Sequence, residues 1–409
     1  MEHAAPFRFH AAQEATAAAV SAEPWRSNPA PRLELRATVV IPVKDEADSL
    51  PRALAALAAQ TDLRGQPLSP GSYEVLVLAN NCQDATAAVA RRFAATHPDL
   101  VVHVAEITLP PAEAHVGKAR RLLMDEAYRR LELVCPGAGL ILSTDGDTCA
   151  APDWLAATQA EMLTYRADAL GGRILTLPAT PGAATRSYQL RDTAYQLLRA
   201  RLEALLDPDA ADPWPRHHQH FGASFAITAA AYRRVGGLPV VAYLEDEALY
   251  QALCRHDLRV RHSPAVRVFT SDRHEGRVEV GLSWQLRQWA ALHEQQQEPV
   301  VESPARLAAL WQARRQLREL WRQTNQSSLP MLRLPSDAVQ AVGAQLGIDS
   351  FDLDQRLRWA FTFGQLWHWV QQEQTRTGWL RRWPPMALTQ AVRELRLLVA
   401  CQEATPVAR

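Results

Sequence analysis

Two acidic clusters in this chain have the residue types and spacing to do chemistry. Asp145-Gly146-Asp147 sets two carboxylates on either side of a glycine. Such a pair can hold a hard divalent cation against a diphosphate, because Mg2+ and Mn2+ favour oxygen ligands. An Asx-type turn closing a strand is the plainer use of the same residues. Leu244-Glu245-Asp246-Glu247 opens the segment EDEALYQALCRHD. A carboxylate there could take a proton from a hydroxyl, although acidic residues in a first helical turn often only complement the helix dipole. Lys44-Asp45-Glu46 and Asn80-Asn81 are two further polar sets. The His217-His218-Gln219-His220 run lacks the cysteine or carboxylate spacing that would complete a metal site, and reads as a polar loop.

These clusters need elements to hold them. Ala37–Val43 is a continuous β-branched run, the pattern of a parallel strand buried on both faces. Ser49 and Pro51 suit the start of a helix carrying Leu50, Leu54 and Leu57. Further strands are expected over 73–79, 101–105, 139–144 and 169–175. Helices are expected after Asp84, over 113–131 and after Pro152. Alternation at this spacing predicts an α/β fold with a mostly parallel sheet flanked by helices. Ligands of such sheets bind outside the carboxyl ends of the strands, and the first, second and fourth strands each end in one of the polar sets. Phe221–Leu238 follows as a small-residue strand, a short helix and a Gly-Gly stop.

Beyond residue 278 the strand signal fades. Helices are expected over 279–325, 336–346, 352–374 and 386–402, with Trp311, Trp321, Trp359, Trp367, Trp369, Trp379 and Trp383 among them. So many aromatic anchors imply a packed helical appendage docked on the rest. The expected organisation is an extension over 1–36, a catalytic domain over 37–278 and a helical region over 279–409.

With 409 residues, 44 Lys plus Arg against 44 Asp plus Glu, and 47% hydrophobic residues, the chain is an ordinary neutral globular one. At about 150 residues per domain it holds two or three domains, or one with an appendage. Its balance excludes the bulk electrostatics of a general nucleic-acid binder. The 5 cysteines include no CxxC pair, which fits a reducing compartment. There is no signal-peptide pattern and no run of 18 apolar residues, so a cytoplasmic location without a membrane span is expected.

Taken in order, TVVIPVKDEADSLPRALAAL, VLANNCQDATAAVA, GKARRL, STDGDT, FGASFAITAAAYRRVGGLP and YLEDEALYQAL resemble the motifs of family 2 glycosyltransferases of the GT-A fold. The resemblance covers roughly residues 37–277. It implies a nucleotide-sugar donor (UDP-sugar favoured, GDP-sugar as the alternative), an unspecified acceptor, Mn2+ or Mg2+, and inversion. It places Pro42, Val43, Asp45 and Glu46 in the nucleotide pocket, Asn80 and Asn81 near the base or ribose, and Lys118 near the nucleotide. Asp145 would touch ribose or metal, Asp147 would ligate the metal, and Asp246 would be the general base with Glu245 orienting it or the sugar. His274, in TSDRHEGR, would return to the metal, with Arg273 and Arg277 neutralising the departing diphosphate. One position departs from the pattern: Ala79 stands where an acidic residue usually reads uracil. QLRQW at 285–289 only loosely echoes the motif of processive members, which implies a non-processive enzyme.

Three other readings fit parts of the sequence. A retaining GT-A enzyme would share the carboxylates and the sheet. A sugar-nucleotide nucleotidyltransferase would carry a glycine-rich loop after the first strand, and PVKDEADS has no glycine. A non-catalytic glycan- or partner-binding module would leave the two acidic motifs unexplained. The stretch RTGWLRRWPP at 376–385 suits a peripheral membrane contact, since Trp and Arg favour an interface.

Overall fold

A computed structural model describes Trp25 and residues 28–177, 184–271, 281–326 and 336–404. The expected alternation is present. In chain order come β1 (Ala37–Val43), α1 (Leu50–Ala58), β2 (Tyr73–Asn80), α2 (Thr86–Thr96), β3 (Val101–Ile107), α3 (Val116–Val134), β4 (Leu140–Ser143), β5 (Cys149–Ala150), α4 (Trp154–Tyr165) and β6 (Ala169–Leu177). Then follow α5 (Ala184–Leu206), β7 (Phe225–Thr228), α6 (Ala229–Arg234), α7 (Glu245–Arg255) and β8 (Val260–Ser271). Among the described residues these strands form one eight-stranded sheet in the order β3-β2-β1-β4-β7-β6-β8-β5. Only β7 and β5 run against the rest.

Both faces of the sheet are covered, which is why β1 reads as an unbroken apolar run. Val39 and Ile41 pack with Leu50, Leu54 and Leu57 of α1, Phe93 of α2 and Trp154 of α4. Val40 points the other way, into a cluster with Leu123, Met124 and Leu131 of α3 and Leu249 and Leu253 of α7. Trp25 and Leu35 join that second cluster, and Arg130 donates to the Pro29 carbonyl (3.0 Å), so the end of the N-terminal extension lies on the domain.

The C-terminal region departs in detail from the expected helices. It contains α8 (Leu282–Glu294), β9 (Val300–Val301), α9 (Pro304–Gln326), α10 (Ser336–Leu346), α11 (Ser350–Trp359), α12 (Phe363–Thr377), β10 (Met386–Ala387) and α13 (Leu388–Ala404). The helix expected over 279–325 is therefore two, split around Pro299 and Pro304, where β9 pairs antiparallel with β10. The one expected over 352–374 breaks where Thr362 starts a new helix by accepting from the Gln365 amide (3.2 Å). No helix was expected over α5, yet it anchors the whole region: Tyr195, Leu202 and Leu206 share a core with Leu307 and Trp311 of α9 and Leu388 and Leu395 of α13. Trp379 is buried and donates to the Gln345 carbonyl (3.0 Å), so the 376–385 stretch does not present that ring to a membrane. No helix among the described residues is long and apolar enough to cross a bilayer.

Candidate active site

The polar sets meet where expected, at the carboxyl ends of β2, β1 and β4. Asp45 and Asn81 both adopt left-handed backbone (φ 53° and 52°), a conformation Asp and Asn tolerate better than other side-chain-bearing residues. Asp45 accepts from the Gln83 amide (2.6 Å), and Asp84 accepts from the amides of Thr86 (2.9 Å) and Ala47 (3.0 Å), which ties the loop after β1 to the loop after β2. Asp84 thus holds the start of α2 as expected. Ser49 stands before α1, but its hydroxyl pairs with Glu46 instead of capping the helix. Pro42 and the buried Val43 close β1, and a Cβ on Gly146 would stand 2.7 Å from Val43 and 3.3 Å from Glu46. The glycine of the DGD turn lets that turn close onto the protein itself; no ligand is needed to explain it.

Two buried polar atoms here have no partner: Asn80 Oδ1 after β2 and Thr144 Oγ1 after β4. Burying such an atom unpaired costs about 1–3 kcal/mol, a cost a bound ligand can remove. Asn81 is used differently. Its amide group donates to the Leu109 carbonyl and accepts from the Leu109 amide, both at 3.0 Å, so it pins the segment after β3.

Arg120 is the residue the sequence reading missed. It is buried on α3 and donates to Asp145 (3.1 Å), Glu245 (3.0 Å), the Gly222 carbonyl (3.0 Å) and the Ser143 hydroxyl. One guanidinium therefore joins the DGD turn to the acidic motif of α7. Burial opposes its charge, but Asp145, Glu245 and Asp246 outweigh that and raise its pKa. The signal was in the helical period: Arg120 shares a face with Leu123, Met124 and Ala127, all buried. A charge on an apolar stripe marks a buried ion pair. Lys118 lies off that stripe and pairs with Glu113 (3.2 Å) at the start of α3.

The acidic motif is set by backbone. Leu244 is left-handed (φ 58°), which for a leucine costs about 1–2 kcal/mol, and α7 starts immediately after it. Glu245 points into the protein to Arg120. Asp246 accepts from the Gly222 amide (2.9 Å) and the Glu247 amide (2.8 Å). Glu247 pairs with His220 (2.7 Å).

Electrostatics favour a cation beside Asp145. Burial raises its carboxyl, and Asp147 and Asp246 add to the rise against the pull of Arg120. Glu245 is likewise raised by burial and by Asp246 and Asp145, with Arg120 opposing. A divalent ion would offset this surplus of negative charge, so the donor set fits one. Asp147 accepts from Ser271 (3.0 Å), the last residue of β8. His274, Arg273 and Arg277 follow directly and lie outside the described residues. Asp145 and Asp147 have no third His, Cys, Asp or Glu close enough to complete a cluster among the described residues; Asp45, Cys82 and Asp84 do cluster. Two carboxylates in that cluster already serve as loop acceptors. In the His217–His220 loop, His217 Nε2 meets the Ser263 carbonyl (3.0 Å).

Residues 38–215 match the sequence model of the glycosyl transferase family 2 family. Among curated proteins none matches the chain. Among solved structures, TarS 1–349 of S. aureus in complex with UDP-GlcNAc is 15% identical, with a TM-score of 0.43 over 84% of this chain and 92% of that one. The mannosyltransferase PcManGT from Pyrobaculum calidifontis, in complex with GDP-Man and Mn2+, is 16% identical, with a TM-score of 0.42 over 92% of this chain and 91% of that one. At these scores the likenesses assign no residue a role. The family match spans the segment that holds β1 to β6 and the DGD turn, and that segment is similar to a family 2 glycosyltransferase domain.

Proposed function

We propose that the protein transfers a sugar from a nucleoside-diphosphate sugar to an acceptor hydroxyl in a single inverting displacement, UDP-sugars being favoured and GDP-sugars the alternative. The observation that carries this reading is Arg120, which holds Asp145 and Glu245 around one buried charge and so sets the donor side and the acidic motif face to face. The unpartnered Asn80 and Thr144 atoms supply hydrogen-bonding groups for the nucleotide at the strand ends, with Pro42, Val43, Asp45 and Glu46 between them.

The acceptor hydroxyl is a poor nucleophile, and Asp246 takes its proton as it attacks. The two backbone amides on Asp246 fix the carboxylate's orientation and leave lone pairs for that proton. Glu245, held by Arg120, positions the motif. Asp145, Asp147 and His274 would hold a manganese or magnesium ion, which offsets charge on the leaving diphosphate. Arg277 would approach the same oxygens, and Lys118 the nucleotide.

A screen of UDP- and GDP-sugars by thermal shift and donor hydrolysis, with manganese or with chelator, tests the reading. Binding of one donor should require the metal; equal affinity in chelator sinks the metal-dependent mechanism. Asp246→Asn should keep donor binding and lose about 10²–10⁴ in turnover, whereas Asp147→Asn should lose metal and donor binding together. Proton NMR of fresh product should show an inverted anomeric centre. A retained configuration would remove Asp246 from the role of base.

A further inference from the structure

A chain of buried polar side chains leads to Glu247, which the mechanism above does not use. Asp212 accepts from His262 Nδ1 (2.7 Å), His262 Nε2 meets His220 Nδ1 (3.2 Å), and His220 Nε2 meets Glu247 Oε2 (2.7 Å). Asp212 also receives Arg216 (2.8 Å), Arg261 (3.1 Å) and the His262 amide (2.9 Å); burial would raise its carboxyl, but the His262 side chain, Arg216 and the His262 amide hold it well below the usual range. Burial pushes the His262 imidazole below its ordinary pKa against the pull of Asp212, and the ring bridges Asp212 through Nδ1 and His220 through Nε2. Burial works against ionised Glu247, but the His220 hydrogen bond and charge hold its pKa down. Tyr250 stacks on the His220 ring at 3.9 Å, and Gln251 donates to the other Glu247 oxygen (2.7 Å).

This order is aimed at the surface. Side-chain exposure is 3% at Asp212, 7% at His262, 11% at His220 and 31% at Glu247, the residue after the proposed base. Three successive residues converge there: His220 holds Glu247, Gly222 holds Asp246, and the Phe221 ring between them is 38% exposed. The close seat of this loop depends on Gly171 of β6, where a Cβ would lie 2.2 Å from the Gln219 carbonyl. An exposed aromatic ring between two residues that each hold a carboxylate suits a pyranose, with an apolar C–H face and adjacent hydroxyls.

Building on the glycosyl-transfer reading, we propose that Glu247 and Phe221 form the acceptor subsite for a pyranoside, in which Glu247 accepts a hydroxyl other than the one Asp246 deprotonates. His220, His262 and Asp212 are its positioning residues. The same chain continues through Arg216 and Glu203 to Arg314 of α9 (2.6 Å), so the C-terminal region braces the subsite.

The test offers the full-length protein, with its best donor, a panel of methyl α- and β-pyranosides beside 1-propanol, and reads transfer by mass spectrometry. Pyranosides should accept and propanol should not. Glu247→Gln, isosteric and at the partly exposed end of the chain, should raise the acceptor KM about 10- to 100-fold, the range of a lost hydrogen bond to a charged group, with a smaller change in kcat. Calorimetric donor affinity should stay at the wild-type value. His220→Gln, whose amide can replace Nε2, should lose less than His220→Leu. Donor hydrolysis without transfer to any pyranoside overturns the subsite, as does a Glu247→Gln that leaves acceptor KM unchanged or weakens the donor equally. Failure of every donor to bind or turn over defeats the glycosyl-transfer reading itself, and this inference with it.

Discussion

Under the proposed function, the donor and acceptor sides are built on opposite electrostatic plans. On the donor side, Asn80 Oδ1 and Thr144 Oγ1 are buried without partners, and Asp145 and Glu245 share the single guanidinium of Arg120. On the acceptor side, Asp212, His262, His220 and Glu247 are matched atom to atom, and Glu203 and Asp207 are bridged by Arg216, Arg314 and Arg318. His218 Nδ1 is the exception there. In the proposed reading, the donor side is left incomplete for a charged ligand that would bring its own cation. The acceptor side is completed internally, much of it by helices from the far end of the chain. A neutral, weakly held acceptor is better served by such a preorganised surface, because little ordering remains to be done on binding.

If that contrast is right, removing the C-terminal region should damage the acceptor side wholesale. A chain ending at residue 298 uncovers Tyr195, Leu202 and Leu206 of α5 and strips Glu203 and Asp207 of their α9 arginines. It should bind a hydrophobic dye strongly and fail to stay soluble. A stable, fully active product would make 299–409 an independent module and end the comparison.

Arg120→Met probes the donor side next. It leaves the buried Glu245 without its countercharge, and breaking a buried pair costs about 3–5 kcal/mol, whereas Asp145, 37% exposed, loses less because solvent screens it. Urea unfolding should show that loss, partly recovered by manganese, since a cation at Asp145 replaces some of the missing positive charge. Loss without any recovery would mean that Arg120 alone, and no ion, balances this site.

Acid should destabilise the acceptor side. Burial would raise the Glu203 carboxyl, but Arg314 and Arg216 hold it at about 2, below its ordinary 4.5. Folding therefore favours the ionised form. Its contribution, on the order of 3 kcal/mol, is complete above pH 4.5 and is lost as pH falls towards 2. The melting temperature should drop between pH 5 and pH 3, and Glu203→Gln should flatten part of that slope. An unchanged slope would place the acid-sensitive contacts elsewhere.

The same contrast explains what could be read from the sequence. Strands β1 and β2 were legible because burial on both faces turns them into unbroken apolar runs, and the donor motifs sit directly at their ends. Arg120 was legible in principle, as a charge on the apolar stripe of α3, but Lys118 in the same motif drew the attention. The acceptor side was not legible. Helix α5 presents its core through Tyr188, Tyr195 and Leu202, seven residues apart, with charges between them whose partners lie over 100 residues away. His262 gives no local sign that it links Asp212 to His220. Pairings made by tertiary contact leave no period to read.

The smallest test concerns the seam between the two regions. Helix α12 begins against the end of α7: the Phe363 and Gly364 amides donate to the Asp257 carboxylate (2.8 and 2.7 Å), and Thr362 donates to the Arg255 carbonyl (2.6 Å). Contact is close enough that a Cβ on Gly364 would stand 1.8 Å from the Cys254 carbonyl oxygen. Asp257 is itself left-handed (φ 52°), so an alanine there would mix lost capping with backbone strain. Asp257→Gly separates the two, because glycine keeps the conformation and removes only the carboxylate. The loss should be about 1–2 kcal/mol, the range for a helix cap, read as a fall in the urea midpoint followed by tryptophan fluorescence. Donor affinity should not move, since the cap lies behind α7 and away from the strand ends. A variant with unchanged stability would shift the docking of α12 from this carboxylate to its apolar contacts. One that lost donor affinity would show that the seam reaches the donor side, and the division between the two halves would have to be redrawn.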